Sequence, residues 1–110
     1  MPATDEGLKG RAMGMAEMVA YQEGSVVSRT LIDKPAGTVT LFSFDAGQGL
    51  SEHTAPFDAM VSVVDGEAEV SIGGQPNVVR AGEMIIMPAD VPHALRAHQR
   101  FKMLLVLVRQ

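Results

Sequence analysis

Apolar and polar residues alternate in short runs from Ser25 onward, and Gly, Pro and Asp separate the runs. Alternation with a period of two is typical of strands that bury one face, and no stretch keeps a helical period over a useful length. The predicted strands are residues 25–32, 38–44, 58–64, 67–72, 77–80, 83–87, 93–97 and 101–108. This many short strands at this spacing predict an all-β sandwich or barrel.

The dipeptide Asp65-Gly66 is the sharpest turn signal in the chain. It lies between two predicted strands, and Asp-Gly readily takes the positive φ angles of a tight two-residue turn. We therefore predict a hairpin at this dipeptide.

Residues 1–24 lack the alternation and are predicted to form a short N-terminal arm, which leaves residues 25–110 as the barrel domain. The apolar residues of the arm are Met13, Met15, Met18 and Val19. The segment could form a short helix or an extended arm, and its glycines disfavour the helix. We expect its methionines to pack on the barrel or on a neighbouring subunit.

Composition and charge narrow the function classes. The chain has nine Lys and Arg and thirteen Asp and Glu, which gives a net charge of −4. No basic stretch could follow a phosphate backbone, so we do not expect nucleic acid as a partner. The chain has no cysteine, so a metal would depend on imidazole, carboxylate or water. The longest apolar run, residues 103–108, is too short to cross a membrane, and the N-terminus lacks the apolar core of a signal peptide. These features predict a cytoplasmic protein with no membrane partner.

His53 precedes an alternating run, and every second residue of a strand faces the same side. If no bulge intervenes, its face carries Ala55, Ala59, Val61 and Val63. His53 is therefore predicted to border an apolar space.

His93 is placed in the same way, because Leu95 shares its face. His98 has the opposite parity and is predicted to lie on the surface. A single histidine in a β domain is most often structural or exposed, so His53 and His93 gain a functional meaning only if the fold brings them together.

Two motifs supply that link. In the first, Gly47, His53 and Gly66 stand at the positions of a family pattern, while Ala55 replaces its second histidine and Ala59 replaces its glutamate. The pattern is the first motif of the cupin superfamily, and this chain resembles the small single-domain cupins.

The second cupin motif follows after residues 67–81. Gly82, Pro88 and His93 match it, Asp90 replaces its second glycine, and Ala97 replaces its asparagine. The resemblance covers residues 25–108 and implies a double-stranded β-helix, or jelly-roll, barrel. It also implies a homodimer that forms through the N-terminal arm or an edge strand.

In the metal-binding form of this pattern the ligands are His, His, Glu and His, and here His53 and His93 are the two that remain. Two imidazoles leave most of the coordination sphere to water, so we expect at most a weakly bound divalent metal ion. The predicted ligand-binding residues of the cavity are His53, Phe57, Val61, Val63, Met87, His93 and Leu95.

We therefore predict a cupin that binds a small molecule or, weakly, a divalent metal. The alternative is a metal-dependent oxygenase or isomerase that recruits a carboxylate as a ligand, either Asp58, turned inward by a bulge near Pro56, or Glu52, which adjoins His53. Strand parity favours an Asp58 that faces solvent. A metal-free isomerase, with His53 or His93 as a base beside Asp58, is a further possibility.

Overall fold

The computed structural model describes residues 7–109 of the 110-residue chain. The first of these residues form an arm with one 3₁₀ turn, Met15–Glu17. The strands that follow are β1 (Val26–Lys34), β2 (Gly37–Phe44), β3 (Gly49–His53), β4 (Asp58–Ile72), β5 (Gln75–Arg80), β6 (Met84–Met87), β7 (His93–Arg96) and β8 (Phe101–Val108). No helix within residues 7–109 is long and apolar enough to span a bilayer.

The strands form two antiparallel layers that share β4. Its first half pairs with β8 and β6, and β8 continues the layer through β2 to β1. Its second half pairs with β5 and β7, and β7 continues the second layer to β3. This curled arrangement is a double-stranded β-helix, so the predicted all-β jelly-roll barrel is confirmed.

The predicted hairpin at Asp65-Gly66 is wrong, because β4 runs through this dipeptide as one strand of 15 residues. The pairing with β8 shifts register between Val63 and Asp65, and Gly66 has a φ of 73°. A Cβ atom at Gly66 would collide with the carbonyl oxygen of Arg100. The dipeptide therefore forms a bulge at which β4 passes from one layer to the other.

The core lies between the two layers and includes alternate residues of β4 on each side of its bulge. Phe44 and Phe101 are fully buried, and their rings stack with centroids 4.4 Å apart. Met103 is also fully buried. The aromatic stack fills the barrel beside the β4 bulge, because Phe101 pairs with Gly66.

The arm lies across the layer that contains β1, β2 and β8. Three side chains of these strands donate hydrogen bonds to arm carbonyls, namely Lys102 to Ala16, Arg29 to Met18 and Ser43 to Ala20. Val19 is 5% exposed, whereas Met13 and Met15 are 38% and 44% exposed. The arm is thus held through its backbone carbonyls and through the side chains of Val19 and Tyr21, whose hydroxyl donates to Asp65, and part of its apolar surface faces outward.

Candidate functional site

His53 reaches the interior through an irregularity in β3. Leu50 pairs with Leu95 of β7, but the next pair is His53 with His93, so β3 contains one extra residue between the two pairs. This bulge places His53 on the same face as Leu50, although the two are an odd number of positions apart. Glu52, beside the bulge, is exposed.

Close approach of β3 to β7 supports this pairing. A Cβ atom at Gly49 would collide with the carbonyl oxygen of Leu95. The glycine therefore lets the two strands lie near enough for their histidines to meet.

The two imidazoles face each other across the strand pair. Nε2 of His53 lies 3.1 Å from Nε2 of His93, and the ring centroids are 4.4 Å apart at an interplanar angle of 75°. His93 is 4% exposed, because it lies between Ile72 of β4 and His53 of β3. His53 is exposed and marks the mouth of the site.

The other ring nitrogens contact backbone oxygens. Nδ1 of His53 lies 2.7 Å from the carbonyl oxygen of Ser51, and Nδ1 of His93 lies 3.2 Å from that of Val91. A carbonyl oxygen only accepts hydrogen bonds, so both Nδ1 atoms carry a proton and donate it. When the rings are neutral, each Nε2 carries a lone pair.

Burial lowers the pKa of His93 below its usual value of 6.5. Repulsion from a charged His53 lowers it further, while donation to the Val91 carbonyl raises it. The environment therefore favours a neutral His93, whose Nε2 accepts hydrogen bonds.

The two histidines border a cavity of about 210 Å³. Its lining residues are Leu50, His53, Ala55, Phe57, Ala59, Met87, His93, Leu95, Met103, Leu105 and Leu107. Apart from the two imidazoles, these side chains are hydrocarbon or thioether. Ala55 and Ala59 lie in the same cavity as the histidines, as the alternation from His53 predicts.

Five of the seven predicted ligand-binding residues line this cavity, and Val61 and Val63 do not. These two valines are 0% and 1% exposed and belong to the packed core. They share the inward face of β4, but the strand runs away from the mouth after Ala59, and core side chains fill the space beside them.

Sequence reasoning missed Leu50, Leu105 and Leu107 as lining residues. Leu50 was missed because the bulge in β3 reverses its parity relative to His53. The run from Met103 to Val108 is apolar on both faces, so the alternation of β8 does not reveal which face is internal.

The carboxylates considered as extra metal ligands lie elsewhere. Asp58 Oδ1 accepts a hydrogen bond of 2.9 Å from the backbone N–H of Ala89. It ties the start of β4 to the loop before β7, and that loop is also held by a bond from the Asp90 N–H to the Ala55 carbonyl. Neither Asp58 nor Glu52 lines the cavity.

The bulge near Pro56 that the enzyme alternative requires is not present, since the register shifts of β3 and β4 fall before His53 and after Val63. Within residues 7–109, no three His, Asp or Glu side chains are grouped so that they could hold a metal ion. His98 lies on the surface and pairs with Glu69 at 2.6 Å, in agreement with its parity.

Two layers joined by one bulged strand, with a small cavity bordered by paired histidines, define the chain as a double-stranded β-helix protein. A family model described as a cupin domain matches residues 40–108. The chain belongs to the cupin family.

Solved structures of similar proteins agree with this assignment. A conserved protein of unknown function from Streptococcus pyogenes is 38% identical, with a TM-score of 0.88 over 92% of this chain and 89% of that one. A cupin 2 conserved barrel domain protein from Leptotrichia buccalis is 47% identical, with a TM-score of 0.82 over 84% of this chain, which spans 45% of that longer protein.

A more distant neighbour is an enzyme. Salicylate 1,2-dioxygenase from Pseudoaminobacter salicylatoxidans is 17% identical, with a TM-score of 0.70 over 76% of this chain and 25% of that one. At this identity the likeness concerns the fold alone. No protein of curated function matches the chain.

Proposed function

We propose that this cupin is a binding protein whose barrel cavity takes a small molecule, and whose His53 and His93 hold the polar end of that molecule or, weakly, a divalent metal ion. The observation that carries the proposal is the 3.1 Å separation of the two Nε2 atoms at the mouth of an otherwise apolar cavity. Apolar pockets with a few convergent polar groups are typical ligand sites.

The cavity walls support a small, mostly apolar ligand. A volume of about 210 Å³ corresponds to about seven water molecules at about 30 Å³ each. Phe57 provides an aromatic surface, while Met87 and Met103 are flexible and adapt to irregular shapes. Burial of the ligand body against these side chains would supply most of the binding free energy.

The two imidazoles fit a divalent ion in part. Their Nε2 atoms are the ring nitrogens free of backbone bonds, and 3.1 Å is close enough for both to reach one ion at the usual distance of about 2.1 Å. Ala55 and Ala59 supply no donor atoms, so water would complete the coordination and the affinity would be low. A bound ion would act as a Lewis acid toward an oxygen atom of the ligand.

The oxygenase or isomerase alternative requires a carboxylate at the imidazole pair. Asp58 is engaged by the Ala89 N–H, and Glu52 is exposed outside the cavity lining. A base oriented by a carboxylate lacks support for the same reason, because both Nδ1 atoms donate to backbone carbonyls. These contacts favour binding over catalysis.

Titration of chelator-treated protein with Zn²⁺ or Ni²⁺ tests the metal component. We expect one ion per chain, with the affinity reduced about 10-fold or more in His53→Ala and in His93→Ala, because each change removes one ligand. Isothermal titration calorimetry measures both quantities. His98→Ala removes a surface histidine and should leave the affinity unchanged, whereas equal binding by all three variants would contradict the proposed site.

We also propose that two copies of the chain pair through the arm and β1. β1 is an edge strand, and an exposed edge favours pairing with another chain. Ile32 of β1, at 42% exposure, lies beside the exposed methionines of the arm in an apolar groove of about 370 Å³. A second copy would cover this surface.

Size-exclusion chromatography with light scattering tests the pairing. We expect a dimer for the natural sequence and a monomer for Ile32→Lys, because the lysine would bury a charge in the interface. Ile86→Lys is the matched control, since Ile86 is 55% exposed on a different edge strand, β6. A monomeric natural protein, or a dimer lost only in the Ile86 variant, would contradict the proposal.

The cytoplasmic location stays a prediction.

A further inference from the structure

We infer that the cavity selects ligands whose polar end donates a hydrogen bond, such as a small alcohol, phenol or amine with an apolar body, over ligands whose polar end only accepts. The inference rests on the proposed ligand site and names the class of molecule that fits it. It follows from the two imidazoles, the charges around the mouth and the size of the cavity.

The first step is the direction of the histidine hydrogen bonds. The carbonyl oxygens of Ser51 and Val91 accept from Nδ1 of His53 and His93 respectively. A neutral imidazole has one N–H group, and in each ring that group donates to the backbone carbonyl. When both rings are neutral, the site therefore presents two nitrogen acceptors to a ligand and no imidazole donor.

The second step is the cost of leaving these acceptors opposed. Two lone pairs 3.1 Å apart repel each other, and His93, at 4% exposure, has little contact with bulk water that could donate to it. An O–H or N–H group of a ligand would supply the missing proton. A carboxylate or ether oxygen would add a third acceptor to the same place.

The third step is the charge of the segments that frame the opening. Glu52 adjoins His53, Asp58 adjoins Ala59, and the Asp90 N–H bonds the carbonyl of Ala55. Arg109 is a cation on the Asp58 side, in a groove shared with that residue. The segments that frame the mouth thus carry three acidic residues and one cation, and this excess of negative charge disfavours an anionic head group.

The size of the cavity defines suitable probes. A cavity of about 150 Å³ lined by aliphatic and aromatic side chains holds benzene, so about 210 Å³ has room for one ring with a short head group. Benzyl alcohol and anisole are isomers of the same size. The alcohol donates and accepts, whereas the ether only accepts.

The experiment measures the affinities of benzyl alcohol, anisole and benzoate for the full chain in the presence of a metal chelator, by calorimetry or by NMR titration. The alcohol-to-anisole affinity ratio should fall about 10-fold in His93→Leu, since the variant loses one hydrogen bond and keeps an apolar wall. Comparing ratios between the natural protein and the variant removes the difference in hydration of the two probes. Benzoate should bind more weakly than benzyl alcohol.

His53→Leu provides a second variant if His93→Leu unfolds, and His98→Ala should keep the natural ratio. If all probes bind but the ratio is unchanged in both Leu variants, or if benzoate binds best, the donor inference is wrong and the ligand site stands. If no probe binds, the donor inference and the small-molecule part of the proposed function both fail.

Discussion

Replacing Ala55 with His and Ala59 with Glu together is expected to raise the affinity for Zn²⁺ or Ni²⁺ by about 100-fold or more. Both alanines line the cavity that His53 and His93 border, so the new side chains would project toward the imidazole pair. Four protein ligands in place of two would replace most of the coordinating water. Side chains that the fold already holds in place lose little further freedom when the ion binds. They therefore bind the ion more tightly than water does.

Calorimetric titration of the double variant measures the gain directly. In the absence of metal, a glutamate at position 59 should lower the melting temperature, because Ala59 is 5% exposed and a carboxylate is costly to bury. Added metal should restore the lost stability. Ala36→His with Ala46→Glu, at two exposed positions, is the matched control. An equal affinity in the double variant and the natural protein would show that positions 55 and 59 do not face the imidazoles.

Phe101→Ala is expected to lower the free energy of unfolding by about 3–5 kcal/mol, a large share of the stability of a domain of this size. The ring is fully buried and stacks on Phe44 at 4.4 Å. It also pairs with Gly66, where β4 passes between the two layers. The truncation would therefore leave a cavity beside the bulge at which β4 joins the two layers.

Urea denaturation measures this loss. Phe42→Ala is the comparison variant, because Phe42 is partly buried and its ring centroid lies 5.9 Å from that of Phe44. We expect a smaller loss for Phe42→Ala, in proportion to the smaller area that its ring buries. Equal losses in the two variants would mean that the aromatic stack is not the centre of the core.

The strand pattern predicted the fold class well because alternation records burial, and burial of one face of each strand is what the barrel requires. The predicted elements were wrong where a local sequence signal competes with pairing to a strand that is distant in the sequence. Asp65-Gly66 has the local conformation of a turn, but β8 and β5 lie alongside β4 on either side of this point, so the dipeptide became a bulge. β3 was missed because "GLSEH" is short, has no β-branched residue and contains a bulge.

Strand alternation likewise predicted part of the candidate site. His53, His93 and the alanines at positions 55 and 59 follow from parity together with the resemblance to cupins. Asp58 could be placed by parity outside the cavity, and its hydrogen bond to Ala89 agrees. Which inward residues line the cavity and which fill the core was not predictable, because both kinds are apolar and both alternate.

By itself, the amino-acid sequence determined that the chain forms a β barrel and that two histidines border an apolar space that lacks the other ligands of the family pattern. The barrel and the apolar space follow from the order of side chains along each strand, and the missing ligands follow from the resemblance to cupins. Only the tertiary structure decided that the Nε2 atoms of His53 and His93 meet at 3.1 Å with their Nδ1 atoms bound to backbone carbonyls. That contact depends on the register of β3 against β7 and on one extra residue before His53, and neither is encoded in the periodicity of a single strand.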